Sequence, residues 1–184
     1  MSSDGLIAVM SDALRGLLQG AMPDGAEVAL AAPGDAAGGL SLHLFRVALP
    51  PMTRSAPVLG SDGKRLRQAV NVNLDYLVAG PAGDVLQAHA LLGAAVRAFG
   101  QVFVYDDHSI KPLLSDPARL AALKAKSLLV QLKPLDLPLE EQCSVWQASG
   151  SKQRAGLFLR VEAAWEAAEA GGPAPAVRIP PELQ

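Results

Sequence analysis

Apolar residues recur along the chain in two periods, and the period at each point predicts the element. Leu6, Met10, Leu14, Leu17 and Leu18 fall at spacings of three and four, with Ile7 widening the stripe, which predicts a helix over 6–19. Ser3 or Asp4 is its expected cap. Residues 27–32 read as a short strand stopped by Pro33 and Gly34. In 40–49, Leu40, Leu42 and Leu44 alternate with Ser41 and His43, a strand ended by Pro50 and Pro51. The clearest alternation spans 69–78: Val70, Val72, Leu74, Tyr76 and Val78 share one face, and Asn71, Asn73 and Asp75 the other.

Asp84 is placed to cap a helix over 85–99, with Leu86, Ala90, Gly93 and Val96 or Arg97 along one side and Leu91, Leu92 and Ala95 nearby. Residues 101–105 read as a short extended piece, and 111–114 and 117–126 as two short helical turns. A strand is expected over 128–132. A helix follows over 138–148, with Asp136 near its cap, Pro138 in its first turn, and Leu139, Cys143 and Trp146 on one side. Residues 157–165 alternate again, Leu157, Leu159, Val161 and Ala163 against Phe158, Arg160 and Glu162. The sum is an α+β fold: a mixed, largely antiparallel sheet of about five strands flanked by about three main helices. One domain is expected over 1–170. The stretch 171–184 holds Pro173, Pro175, Pro180 and Pro181 and reads as an extended tail.

Composition narrows the function. The 184 residues carry a net charge of −2, without the basic excess that nucleic-acid binding normally requires. No apolar run approaches the roughly 18 uncharged residues of a membrane helix, so no membrane insertion is expected. The N-terminus lacks a basic segment followed by an apolar core, so it does not read as a signal peptide. A single cysteine, Cys143, cannot form an internal disulfide. Assembly in the reducing cytoplasm fits best.

The residues that could carry chemistry are sparse. His43, His89 and His108 lie at no metal-ligand spacing, and there is no Cys-x-x-Cys. Asp106-Asp107-His108 reads as a polar turn. Gly60-Ser61-Asp62-Gly63-Lys64 lacks both the first glycine of a phosphate loop and its Ser or Thr, since Val58 and Arg65 stand there. No Gly-x-Ser-x-Gly elbow seats a serine nucleophile. Cys143 is expected to be a buried structural thiol, Glu140 and Glu141 suit a helix start, and Trp146 and Trp165 read as core or interface anchors. No catalytic, cofactor-binding or metal-ligating residue is therefore assigned. The long segment 50–67 sets Arg54, Lys64, Arg65 and Arg67 against Asp62 alone, and reads either as a solvated loop or as a contact surface.

Four phrases resemble the cap, or tube-terminator, family of phage-tail-like contractile injection systems. They are the helix Ile7–Leu18; the strand Leu40–Val47, followed by a proline break and an arginine; the strand Val72–Val78 leading into Ala88-His89-Ala90-Leu91-Leu92-Gly93; and Leu135-Asp136-Leu137-Pro138-Leu139-Glu140-Glu141 running to Trp146. Their order and spacing match over about residues 5–168. The resemblance implies a non-enzymatic subunit of a six-fold ring that closes the baseplate-distal end of the inner tube and holds the last sheath ring. Its implied partners are other copies of itself, the tube protein and the sheath protein. Arg54, Lys64, Arg65 and Arg67, together with Arg178 and Ile179 of the tail, are the expected interface residues. The competing expectations are a phage tail-completion protein, a small-ligand domain using the face of Asn71, Asn73 and Asp75, and a weak hydrolase.

Overall fold

Strong alternation makes 70–78 a natural centre for a sheet, and the fold is built outward from it. The computed structural model describes residues 5–33, 35–36, 38–50, 70–101, 103–123 and 125–167. In chain order these form α1 (Leu6–Gln19), β1 (Val28–Ala29), β2 (Leu40–Ala48), β3 (Val70–Ala79), α2 (Val85–Phe99), β4 (Val104–Asp106), α3 (Asp107–Ile110), a 3₁₀ turn (Lys111–Leu113), α4 (Ala118–Ala122), β5 (Ala125–Pro134), α5 (Leu139–Ala148) and β6 (Gly156–Ala167). The sheet has six strands in the order β1-β2-β3-β6-β5-β4. Only β1 and β2 pair in parallel; every other pair is antiparallel. The α+β, largely antiparallel expectation therefore holds, with one strand more than expected.

One face of the sheet carries the main core. Val72, Leu74, Tyr76 and Val78 of β3 meet Leu159, Val161 and Ala163 of β6 and Leu128, Val130 and Leu132 of β5. Helix α1 closes over them with Val9, Met10, Leu14 and Leu18, all buried; burying each such side chain contributes about 2 kcal/mol. The Tyr76 hydroxyl reaches the same helix and shares a 2.8 Å hydrogen bond with Ser11. Asp12, on the core side of α1, stays charged because it is fully bonded. Its carboxylate accepts from Arg15 Nη2 at 2.8 Å and from Ser115 N and Oγ at 2.9 and 2.8 Å. Burial pushes that carboxyl up, but the Arg15 and Ser115 bonds outweigh it and hold it below the usual value. These bonds tie α1 to the segment after the 3₁₀ turn. Gly16 permits the same contact, since a Cβ there would lie 1.8 Å from the Leu113 carbonyl oxygen.

Several local expectations are corrected. The strand expected over 27–32 shrinks to Val28–Ala29, held at its end by the bond from Leu40 N to Glu27 O. The strand expected over 128–132 extends to Ala125–Pro134, because β6 pairs along its whole length across an irregularity at Ala125/Ser127. The second of the expected short helices is α4 alone and ends at Ala122, while α3 and the 3₁₀ turn occupy 107–113. Asp84 does cap α2, accepting from Gln87 N. The buried side of α2, however, is Ala88, Leu91, Leu92, Ala95 and Phe99, whereas Leu86 and Val96 are exposed. In α5 only Trp146 is buried. Leu139 is 68% exposed, and Cys143 is half-buried with its thiol 3.2 Å from Gln153 Oε1, so it is not a buried thiol. Helix α1 has Gly5 at its N-cap without a side-chain bond; Ser3 and Asp4 lie outside the described residues.

Candidate interaction surface

The second face of the sheet is divided. Its upper part is roofed by α5. Trp146, 1% exposed, packs with Leu137 over Leu77, Ala79 and Phe158. Gly156 leaves the room for it, since a Cβ there would come within 3.2 Å of the Trp146 ring. Phe45 meets Phe158 edge to face at 5.9 Å, and the Arg154 guanidinium lies 5.6 Å from the Trp146 ring centre.

Below the roof, charged residues form one row across four strands. Arg46 of β2 is in register with Asp75 of β3, Asp75 with Arg160 of β6, and Arg160 with Lys133 of β5. The row depends on a bulge. Leu40, Leu42 and Leu44 face the core, so uninterrupted alternation would send Arg46 inward too. The register shift between Leu44 and Arg46 turns it to the other face, where Asp75 waits. Asp75 is 0% exposed, while the Arg46 and Arg160 side chains are 44% and 26% exposed. Arg46 Nε donates to Asp75 Oδ2 at 2.5 Å, and Arg160 Nε and Nη2 donate to Oδ1 and Oδ2 at 2.7 and 3.1 Å. Burial pushes the Asp75 carboxyl up, but the two guanidiniums outweigh it and hold it below the usual value. The anion is thus inside and the cations reach solvent. Lys133 Nζ contacts Glu162 in the next row at 2.6 Å.

The rows below stay open among the described residues. Asn73, Glu162 and Gln131 are half-buried, Asn71 and Leu129 are exposed, and Ala164 is half-buried. A small-ligand site on Asn71, Asn73 and Asp75 finds no support here, because both oxygens of Asp75 are taken by arginines. A separate apolar groove of about 340 Å³ lies between the end of α2 and the ends of β5 and β6, lined by Val96, Phe99, Phe103, Pro134 and Leu157 among others.

Asp106 closes a capping box with Ser109, so Asp106-Asp107-His108 is the start of the short helix α3 and not the polar turn expected. Among the described residues no group of three or more His, Cys, Asp or Glu is placed to hold a metal ion, and no helix is long and apolar enough to cross a membrane. The expected interface residues Arg54, Lys64, Arg65, Arg67, Arg178 and Ile179 lie outside the described residues. The Arg46–Asp75–Arg160–Lys133 row was missed. Its one trace in the sequence is the break in alternation at Leu44-Phe45-Arg46-Val47.

The model of the Pvc16 N-terminal domain family matches residues 10–178. Two solved structures share the fold. One is the sheath/tube terminator, in its extended state, of the extracellular contractile injection system PVC. It is 17% identical with a TM-score of 0.53, over 97% of this chain and 65% of that one. The other is the tube-terminating cap of the anti-feeding prophage, 16% identical with a TM-score of 0.54, over 93% of this chain and 59% of that one. The chain therefore spans less than two thirds of either terminator, and at these identities the likeness is one of fold. No curated protein sequence matches the chain.

Proposed function

We propose that this chain, which belongs to the Pvc16 N-terminal domain family, caps the baseplate-distal end of the inner tube and the last sheath ring of a contractile injection system. The observation that carries this reading is the coincidence of a family match over 10–178 with a fold shared by two tube terminators. The physical logic is simple. A tube elongates because each ring presents a copy of the surface on which it was laid down. A terminator matches that surface on one side and offers no equivalent on the other, and head-to-tail contacts that close on rotation make it a ring.

In this reading the ring is a hexamer that assembles in the cytoplasm and becomes part of the particle. The tube and sheath proteins are its partners. Residues 1–170 form the capping unit and 171–184 an extended arm, with Arg54, Lys64, Arg65, Arg67, Arg178 and Ile179 at contacts. No catalysis is needed in this reading, and the two buried carboxylates among the described residues suit it. Asp12 and Asp75 are each held ionised by arginine, which suits a scaffold rather than proton transfer. Purified chain added to tube protein undergoing elongation should narrow the length distribution and shorten the mean, as read by electron microscopy. Tubes that keep growing past an excess of the chain would contradict the capping role.

A further inference from the structure

Three phenylalanines line the groove of about 340 Å³ between the end of α2 and the ends of β5 and β6. Phe99 and Phe158 are buried, while Phe103 and Val96 are each 54% exposed at its wall. Of the described residues that line it only Lys133 carries a charge, and its Nζ is paired with Glu162. An aromatic groove without a free charge suits an extended, proline-rich segment. Such a segment is extended before it binds, so little entropy is lost, and its apolar edge packs on the rings.

This chain carries such a segment. Pro173, Pro175, Pro180 and Pro181 punctuate 171–184. With three residues per turn, Ala174, Val177, Pro180 and Leu183 fall on one wholly apolar edge, and Arg178, Ile179 and Glu182 fall on the other two. Its distance from the groove fits as well. Strand β6 lines the groove with Leu157 and Phe158 and ends at Ala167, about 30 Å further along. At about 3.1 Å per residue, Val177 lies no more than about 31 Å along the chain from Ala167, Pro180 about 40 Å and Leu183 about 50 Å. Pro180 and Leu183 therefore reach back with about 10 and 20 Å to spare for the turn, whereas Val177 only just arrives. A tethered segment also acts at roughly millimolar effective concentration, which favours it over a free competitor.

We infer that the chain folds back after β6 and seats the Val177–Pro180–Leu183 edge in the groove of its own copy. The seating does not depend on the ring. Within the ring it sets where the arm is displayed: Arg178 and Ile179, on the outward edges, are presented beside the ends of β5 and β6 for the contacts proposed above.

The test is disulfide trapping in the full chain, with Cys143→Ser to remove the native thiol. Gly100 lines the groove in ordinary helical backbone, where a Cβ meets nothing closer than 3.5 Å. Gly100→Cys therefore adds a thiol without strain, and Ile179→Cys adds one beside Pro180 but off the seated edge. Under a mild oxidant this pair should close within one molecule, read as a faster-migrating monomer on a gel without reductant and by mass spectrometry of its digest. Gly100→Cys with Ala170→Cys should not close, because residue 170 lies no more than about 10 Å from Ala167. Adding Val96→Asp or Leu183→Asp should slow closure of the first pair at least fivefold while unfolding near the parent temperature. Failure of the first pair to close, equal closure with Ala170→Cys, or indifference to both aspartates would overturn the seating. Covalent dimers as the main product would overturn it too, since the groove would then hold the arm of another copy. Each of these outcomes leaves the capping reading standing.

Discussion

Trp146→Ala is expected to lower the stability of the chain by about 4 kcal/mol, the usual cost of deleting a large buried aromatic side chain. Trp146 is the one fully buried residue of α5 and the centre of the smaller core, with Leu77, Ala79, Leu137 and Phe158 around it. Those neighbours belong to the sheet and to the link before α5, so a collapse that fills the space would have to shift strands already paired on both sides. The cation–π contact from Arg154 is lost as well. For a domain of this size the change corresponds to a melting temperature lower by about 10 °C. Chemical denaturation and calorimetry read it directly. A loss below about 1 kcal/mol would mean that α5 does not hold the roof of the second face.

Asp75→Ala should cost about 3 kcal/mol. Removing one partner of a buried ion pair leaves the others uncompensated, and the value sits at the low end of that range because Arg46 and Arg160 can turn toward water. Asp75→Asn keeps the shape and isolates the charge, and its effect should depend on pH with a definite sign. The folded carboxyl titrates below its ordinary value of 3.8. Its contribution is therefore fully present above the unfolded value and is lost as pH falls through the lower, folded one. The stability gap between parent and Asp75→Asn should be widest from about pH 5 to 7 and should close as the pH falls below about 4. Unfolding titrations across that range check it. A gap that stays constant, or widens in acid, would show that the arginines do not hold Asp75 ionised.

The parts of the fold legible in the sequence are those where the two sides of an element differ. Alternation in 70–78 is clean because Val72, Leu74, Tyr76 and Val78 on one side of β3 lie in the main core while Val70 at its end is exposed, and the observed strand matches within a residue. Helix α1 is equally plain because only one of its faces is apolar. Helix α2 misled because it is apolar nearly all round. Leu86, Ala90, Gly93 and Val96 make as good a stripe as Leu91, Leu92, Ala95 and Phe99, and only the sheet beneath selects between them. Strand β1 is shorter than 27–32 because only Val28 and Ala29 find a partner, and the alanines that follow have little preference for a strand.

The charged row is a different kind of omission. Arg46, Asp75 and Arg160 are separated by 29 and 85 residues, and their meeting depends on the strand order and on one bulge. The Asp12–Ser115 tie spans 103 residues and is hidden in the same way. What the sequence does carry across its length is the succession of phrases from Ile7 to Trp146 that resembles the terminator family. The family match over 10–178 bears that resemblance out. The basic loop and the tail, in which the expected contacts were sought, lie outside the described residues.

The central claim is that this chain ends the tube. The most direct measurement is the length distribution of particles, by electron microscopy, from producing cells with and without it. Capping predicts uniform lengths with the chain and long, unequal tubes with incomplete or detached sheath without it. Particles of unchanged length with intact sheath in its absence would contradict the account.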